Sequence, residues 1–331
     1  MTGREERITR SSALALLERY ALLLLLVLLV IVFSALPATS ATFLTSANIN
    51  NIVAQESVIA ILALAALIPL VAVQFDVSVG AVLGAVAILM AKLTVDQGWA
   101  VIPALLAGLT VGCGVGVLNG YLVAYVGANS FIITLGASTL LTGLVSLYSS
   151  DQTIVNVPQS LLNFGNGYWL GIPRPTWLLA AVALVVAYLL RHTVFGRQLL
   201  QIGSNPRSAQ LVGIRVRRLM LLAFVLAGVL AAVAGALELA RTGSGDPQVG
   251  SNLTLDALAA CFLGSTTVRP GQFNVPGTLI GVFFVAVSVN GLTLAGAADW
   301  VDPVFNGAAV VIAVALSTVL ARRRGTRTAI F

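Results

Sequence analysis

Long apolar segments recur along the chain and are separated by short polar or glycine- and proline-containing stretches. At about 20 apolar residues per membrane crossing, this pattern predicts ten transmembrane helices. One of them, near residues 254–267, is short for a full crossing and is predicted to be re-entrant or broken. Eight or nine full crossings is the alternative count. The predicted helices lie near residues 20–36, 52–73, 77–93, 100–126, 130–149, 175–190, 218–240, 254–267, 275–295 and 303–321.

This pattern predicts an all-α integral membrane protein that forms a single transmembrane domain over residues 1–331. Glycines recur every four positions within several of the segments. Small residues at this interval lie on one helix face and let the backbones of neighbouring membrane helices approach closely. These glycines are at positions 108, 112, 116 and 120, at 80 and 84, and at 277 and 281.

The composition supports a membrane protein. Hydrophobic residues make up 58% of the chain and charged residues 9%, whereas roughly 25% of residues are charged in a soluble domain. A formal net charge of +6 would suggest nucleic acid as a partner of a soluble protein. Here the basic residues cluster at the ends of apolar segments, which indicates contact with the membrane interface and no nucleic-acid partner.

The basic residues also orient the chain, because cytoplasmic loops carry the excess of Lys and Arg. An alternating topology places 15 of the 18 inside and leaves only Lys92, Arg174 and Arg241 outside. The amino terminus (1–19), a loop (191–218) and the carboxyl tail (322–331) are therefore predicted to be cytoplasmic.

The first apolar run, residues 20–36, has two interpretations. It is a retained first helix, or it is a signal peptide that ends near Ala38-Thr39-Ser40. The many hydrophobic segments that follow favour a retained helix, and both interpretations leave the amino terminus inside.

Four carboxylates lie in or beside apolar segments: Glu56, Asp76, Glu238 and Asp256. Each costs about 2.5–3.5 kcal/mol at the bilayer centre, so each is expected to face a cavity, a partner or the interface. Asp76 and Asp256 open predicted helices, where a carboxylate also accepts free backbone N–H groups. Glu56 and Glu238 lie deeper, where a polar cavity or a contact such as Glu238 with Arg241 is the expectation.

Hydroxyl and amide side chains are also spread among the apolar segments. They suit a neutral, hydrogen-bonding solute such as a sugar better than an ion pathway, which would show a chain of carboxylates or a ring of like charge. Each one taken singly can instead be a hydrogen bond between helices. The residues are Asn119, Asn129, Ser130, Thr134, Ser138, Asn290 and Asn306.

The sequence contains no nucleotide-binding P-loop, Gly-x-x-x-x-Gly-Lys-Ser/Thr. It contains neither a Ser/His/Asp set nor a Cys/His metal cluster, and His192 lies beside Arg191 at a helix end. The chain is therefore predicted to be neither an enzyme nor a metal protein.

Several motifs occur in an order that is similar to the permease subunits of ribose/xylose-type ABC sugar importers. Phe75-Asp76-Val77-Ser78-Val79-Gly80 resembles their Ile-Asp-Leu-Ser-Val-Gly run. The segment 255–264 resembles their Leu-Asp-Ala-Ile-Ala-Ala and Gly-Gly block, and 277–281 and 290–292 complete the set. Their cytoplasmic coupling segment is matched by Gly196-Arg197 and by Gly203, Ser204, Asn205, Pro206, Arg207, Ser208, Ala209, Gly213 and Ile214.

The resemblance implies an ABC importer permease fold and a passive pathway driven by partners. A cytoplasmic ABC ATPase, which binds ATP and Mg²⁺, would grip the coupling segment, so this chain needs no cofactor of its own. An extracytoplasmic sugar-binding protein would deliver the solute, and a second permease copy would complete the pathway in the bacterial inner membrane. The predicted pathway residues are Asp76, Ser78, Asn129, Phe131, Thr134, Glu238, Asp256 and Asn290.

The chain departs from the family pattern at three places. The family usually has two glycines before the Ile-Asp-Leu-Ser run, and here Gln74 and Phe75 take the adjoining positions. Ser265 replaces the second glycine of the Gly-Gly pair, and the glycine-rich turn at 268–274 is partly replaced by Arg269, Pro270, Gln272 and Phe273. The solute is therefore left open among monosaccharides and similar small polar molecules.

Two other functions remain open at this stage: an ion-coupled secondary transporter that works without an ATPase, and a membrane scaffold. Polar breaks before residues 76 and 256 would suit the internal repeats of a secondary transporter. The loop 191–218 could likewise be a topology anchor without a partner. An ABC importer uses ATP hydrolysis and a secondary transporter uses an ion gradient, so the energy source of transport distinguishes these two functions.

Overall fold

The computed structural model describes residues 2–298, 300–301, 303–305, 307–308 and 311–312, with the backbone alone for residues 2–18. Its helices are α1 (Thr2–Ala35), α2 (Ser46–Val71), α3 (Val79–Val95), α4 (Val101–Tyr121), α5 (Ser130–Ser149), α6 (Gln159–Gly165), α7 (Arg174–His192), α8 (Val194–Ser204), α9 (Pro206–Leu211), α10 (Val216–Thr242), α11 (Val249–Gly264) and α12 (Val275–Leu294). A π-helical turn, Leu122–Val126, extends α4, and β1 (Tyr168–Trp169) pairs with β2 (Ile172–Pro173).

The predicted all-α fold is confirmed, apart from this short hairpin. Among the described residues, six helices are long and apolar enough to cross a membrane: α2, α4 with its π-turn, α5, α7, α10 and α12. Three shorter apolar helices, Arg19–Ala35, α3 and α11, match three more of the predicted crossings. Residues 303–305, 307–308 and 311–312 contain the described part of the predicted helix 303–321, and the tail 322–331 lies outside the described residues.

The chain divides into two compact units, residues 53–258 and residues 1–52 with 259–331. In the unit 53–258, α10 packs against α3, α4 and α6, and α3 also packs against α4 and α5. Every residue of α2 from Ala60 to Val71 is buried. By contrast, α5 and α7 expose large apolar side chains such as Leu147 and Leu184, as expected of helices that face lipid.

The predicted glycine face of α4 is confirmed as a helix contact. A Cβ atom on Gly112 would clash with the carbonyl oxygen of Gly228 in α10 and lie 2.7 Å from the Cβ of Ala232. One turn on, a Cβ on Gly116 would lie 2.8 Å from the Cα of Val225. Side chains at these positions would separate the two backbones, so glycine sets the spacing of α4 and α10.

The second unit joins α1 to α12 and the end of α11 to the start of α12. A Cβ on Gly291 of α12 would clash with the ring of Phe33 in α1. Gly277 lies against the backbone of Gly264, and Gly281 against that of Ala260, so the predicted small-residue contact at 277 and 281 is also confirmed.

Candidate functional site

The chain is not helical between α2 and α3, at residues 72–78. The last turn of α2 closes with N–H groups of Val73 and Gln74 donating to the carbonyls of Leu70 (2.9 Å) and Pro69 (3.0 Å). Val73 has φ +56°, and a left-handed conformation costs a residue other than glycine about 1–2 kcal/mol. An irregular, strained segment beside apolar helices is tolerated where protein surrounds it, and such segments cluster at functional sites.

Two hydroxyls of α5 satisfy the backbone of this break. The N–H of Phe75 donates to Ser130 Oγ (3.1 Å), and the N–H of Val77 donates to Thr134 Oγ1 (3.1 Å). Thr134 is fully buried. Because Ser130 and Thr134 lie one turn apart on the same face, α5 supplies the acceptors that a regular helix would have supplied from its own carbonyls.

Asp76 anchors a buried chain of polar side chains. Its Oδ1 accepts hydrogen bonds from the N–H (3.0 Å) and the hydroxyl (2.6 Å) of Ser78, and the Ser78 oxygen accepts one from Asn119 Nδ2 (2.9 Å). All three residues are at most 2% exposed. Asn119 Oδ1 has no hydrogen-bond partner within the described part of the chain. The break therefore carries a carboxylate, a hydroxyl and an amide acceptor in one place.

Two of the predicted pathway residues lie beside this cluster but do not join it. Asn129 is exposed and caps α5, where its Oδ1 accepts from the N–H of Ile132 (3.2 Å). Phe131 is 48% exposed. Ser130, which lies between them, is buried instead, because residues one position apart do not share a helix face.

Glu238 and Asp256 occupy different settings. Glu238 is buried in α10 and forms an ion pair with Arg241 (Oε2 to Nε, 3.5 Å), which confirms the predicted contact. The prediction that Asp256 opens a helix was wrong: α11 begins at Val249, and Asp256 lies half-buried inside it. The early start was not predicted because Ser251, Asn252 and Thr254 lower the hydropathy of the first turns of this helix.

Asn290 forms a reciprocal amide pair with Asn48 within the unit that contains residues 1–52. Asn48 Nδ2 donates to Asn290 Oδ1 (3.0 Å), and Asn290 Nδ2 donates to Asn48 Oδ1 (3.1 Å). Both residues belong to helices, α2 and α12. This arrangement corresponds to the helix-linking interpretation of the scattered amides.

The loop 191–218 contains two short helices, α8 and α9. Thr193 caps α8, and the side chain of Asn205 caps α9 by accepting from the N–H of Ser208 (3.1 Å). Pro206 is the first residue of α9, and Gly213 ends the turn with φ +84°.

The two helices differ in exposure. On α8, Leu199 and Ile202 are fully buried, whereas Leu211 and Val212 at the end of α9 are 88% and 74% exposed. The loop thus presents a pair of exposed apolar side chains in a segment that also carries six arginines. All of its arginines are exposed: Arg191, Arg197, Arg207, Arg215, Arg217 and Arg218.

A separate cavity of about 910 Å³ lies among α3, α4, α6, α7 and α10. Its walls are almost entirely apolar and include Trp99, Leu109 and Phe164. A sugar needs hydrogen-bonding groups, so this cavity does not suit a sugar.

Of the polar side chains that meet at the break, the predicted pathway contained Asp76, Ser78 and Thr134. Asn119 and Ser130 were noted as polar residues in apolar surroundings, yet neither was placed in the predicted pathway. Their signals were present: Asn119 precedes Gly120 of the α4 contact face, and Ser130 lies four positions before Thr134. The hydrogen bonds of Ser130 with Phe75 and of Asn119 with Ser78 could not be predicted, because the sequence does not show which helices are neighbours.

Taken together, the apolar crossing helices, the broken segment with its buried polar chain and the basic loop define a multi-pass α-helical membrane transport protein. The sequence matches the family described as "branched-chain amino acid transport system / permease component" over residues 48–314, and the chain belongs to this permease family. The resemblance inferred from the motifs is thereby confirmed.

Similar proteins with assigned roles are also permease proteins. The chain is 34% identical over 277 residues to the ribose import permease protein RbsC of Escherichia coli (strain K12), covering 82% of this chain and 85% of that protein. It is 29% identical to the D-allose transport system permease protein AlsC of the same organism (84% and 86%). It is 32% identical to the autoinducer 2 import system permease protein LsrC of Photorhabdus laumondii (73% of each chain). No solved structure matches the chain.

Proposed function

We propose that this chain is the membrane-spanning subunit of an ABC importer for a monosaccharide or a similar small polar solute. The observation that carries the proposal is the loop 191–218, whose exposed Leu211 and Val212 lie among exposed arginines. Exposed apolar side chains on an arginine-rich loop suit a protein partner better than lipid or water. The relatives are named as permeases for ribose, D-allose and autoinducer 2, and these names support a polyhydroxylated solute.

The energy would come from a separate cytoplasmic ABC ATPase seated on the exposed part of the coupling segment, residues 204–213, whereas Gly203 packs against the end of α2. That subunit binds and hydrolyses ATP with Mg²⁺, and this chain contributes no ATPase site, cofactor or metal. Closure of the ATPase would rock the membrane helices between inward- and outward-open states.

The solute would pass the break between α2 and α3. A neutral sugar donates hydroxyl hydrogen bonds, and Asp76 and Asn119 offer buried acceptors there. Ser78 and Thr134 hold these groups in position through the hydrogen bonds already described. In this proposal Glu238, Asp256 and Asn290 line other parts of the route or join helices.

In this proposal the chain crosses the bacterial inner membrane ten times within one permease domain, with both termini in the cytoplasm. An extracytoplasmic binding protein would dock on the opposite face, at residues 150–174 and 241–252. The β1–β2 hairpin lies in the first of these segments, and Leu170 at its tip is 91% exposed. A second permease, identical or related, and membrane lipid would surround the remaining apolar faces.

An ion-coupled secondary transporter is the second candidate. The ion pair of Glu238, which is buried near the end of α10, with the half-buried Arg241 favours it, because ionisable groups within membrane helices often mark ion pathways. It requires no ATPase, whereas the first proposal does.

The two candidates are separated by the energy source in proteoliposomes. We expect no uptake by the purified chain under a proton or sodium gradient, and vanadate-sensitive uptake when the ATPase and binding protein are supplied. Uptake by the chain alone, driven by either gradient, would favour the secondary transporter and end the ABC proposal.

A further inference from the structure

Gly203, near the end of α8, lies against the backbone at the end of α2. A Cβ atom at this position would clash with the carbonyl oxygen of Val71 and lie 3.3 Å from the Cα of Ala72. The close approach of α8 to the start of the break therefore requires glycine at position 203.

α8 is also packed against α9, the other helix of the loop 191–218. Leu199 and Ile202 are fully buried, and α8 contacts α7, α9 and α10. At the start of α8, a Cβ on Gly196 would clash with the backbone of Leu190 in α7. A force applied to α9 is thus carried by a packed helix and not by a flexible loop.

The contact at Val71 is adjacent to the segment that holds the polar cluster. Val73, with φ +56°, follows two residues later, and Asp76 follows three residues after that. The backbone of Phe75 and Val77 is held by side-chain hydroxyls of α5. A segment held in this way can change its hydrogen bonds without unwinding a helix, as a two-state element requires.

We propose that the contact of Gly203 with Val71 and Ala72 transmits movement of the loop 191–218 to the broken segment 72–78, and so switches the position of Asp76 during transport. Gly203 is a positioning residue here, since it touches neither solute nor ATPase. The inference rests on the proposed ABC function and names the contact through which ATPase closure reaches the solute route.

The test is Gly203→Ala in proteoliposomes that contain the permease, its ATPase and the binding protein. We expect the ATPase to co-purify and hydrolyse ATP at its basal rate. We also expect uptake, and the stimulation of ATP hydrolysis by solute-loaded binding protein, each to fall by at least about fivefold, the low end of allosteric coupling. The matched control is Gly136→Ala in α5, where a Cβ meets no atom within 4 Å.

Unchanged uptake and stimulation in Gly203→Ala would overturn the inference. Loss of ATPase co-purification would also overturn it, because Gly203 would then belong to the docking surface. Failure of the proposed function is distinguishable from both results, since the wild-type complex itself would then show no ATP-driven uptake.

A second measurement needs no variant. Hydrogen–deuterium exchange of the wild-type complex should differ at residues 73–78 between nucleotide-free and nucleotide-bound ATPase, by at least about fivefold in rate. The permease without its ATPase should show no response to nucleotide. Exchange that responds at residues 206–211 but not at 73–78 would contradict transmission through this contact.

Discussion

At the scale of single residues, Asp76 stabilises the break between α2 and α3 and is also the hydrogen-bond acceptor that we propose for the solute. The carboxylate accepts two hydrogen bonds from Ser78, and this arrangement organises the backbone immediately before α3. The sequence predicted that Asp76 would open a helix and accept backbone N–H groups: it does accept the N–H of Ser78, but α3 begins only at Val79 with Ser78 as its N-cap, so Asp76 lies before the helix. The stabilising role and a role in the solute pathway are therefore compatible at this residue.

The two roles of Asp76 are separable by substitution. Asp76→Asn keeps an oxygen that accepts from Ser78, so we expect near-normal yield with strongly reduced uptake. Asp76→Ala leaves the N–H of Ser78 without its acceptor, which costs about 1–3 kcal/mol, so both yield and uptake should fall. Quantitative membrane blots and radiolabelled sugar uptake measure the two effects. Wild-type uptake by Asp76→Asn would show that the charge has no role in transport.

The hydroxyl of Thr134 offers a test of the break itself. Thr134→Val preserves shape but leaves the N–H of Val77 without an acceptor, at a cost of about 1–3 kcal/mol. Thermal unfolding in detergent should therefore shift to lower temperature. Thr139→Val is the control, because Thr139 lies on the same helix and its exposed hydroxyl bonds only Leu135 O (3.1 Å). Equal unfolding temperatures for both variants would mean that α5 does not support the break.

At the scale of elements, hydropathy located the helices well and their polar ends poorly. The predicted segment 130–149 coincides with α5, where apolar residues continue to both ends. By contrast, α2 begins at Ser46, not near residue 52, because Asn48 and Asn50 lower the hydropathy of its first turns. The helix α6 and the β1–β2 hairpin were not predicted, since short amphipathic segments carry no spanning signal.

The contact between α4 and α10 predicts opposite effects for two neighbouring glycines. Gly112→Ala introduces a methyl group against Gly228 and should destabilise the protein by about 1–3 kcal/mol. Gly114 lies on the same helix with nothing within 4 Å of its Cβ position. Gly114→Ala should therefore be neutral or stabilising by roughly 0.5–1 kcal/mol. Thermal unfolding in detergent measures the stability of both variants, and equal stability would contradict the close packing of α4 against α10.

The end of α9 is the element expected to hold the ATPase. Leu211→Asp, charge reversal in Arg207→Glu, and deletion of residues 203–214 should each reduce co-purification of the ATPase by at least tenfold, about 1.4 kcal/mol of binding free energy. Leu170→Asp on the β1–β2 hairpin is the control, because Leu170 is equally exposed but lies outside the coupling loop. ATPase retained at wild-type level after the deletion would rule out this docking surface.

At the scale of the whole molecule, the distribution of positive charge was the most useful property of the sequence. It grouped the arginines of 191–218 before any helix packing was known, and the structure gives all of them exposed positions. The sequence could not reveal that Leu199 and Ile202 of α8 are buried or that Gly203 lies against Val71. Gly203 and Val71 are about 130 positions apart, and hydropathy contains no information on such pairs.

The most direct measurement is the membrane sidedness of Ser208, which is exposed on α9. In a background with Cys113→Ala and Cys261→Ala, Ser208→Cys and Leu170→Cys are treated with a membrane-impermeant maleimide. We expect Leu170→Cys to react in intact cells and Ser208→Cys to react only after the inner membrane is permeabilised. Labelling of Ser208→Cys in intact cells would place the arginine-rich loop outside, beyond the reach of any cytoplasmic ATPase.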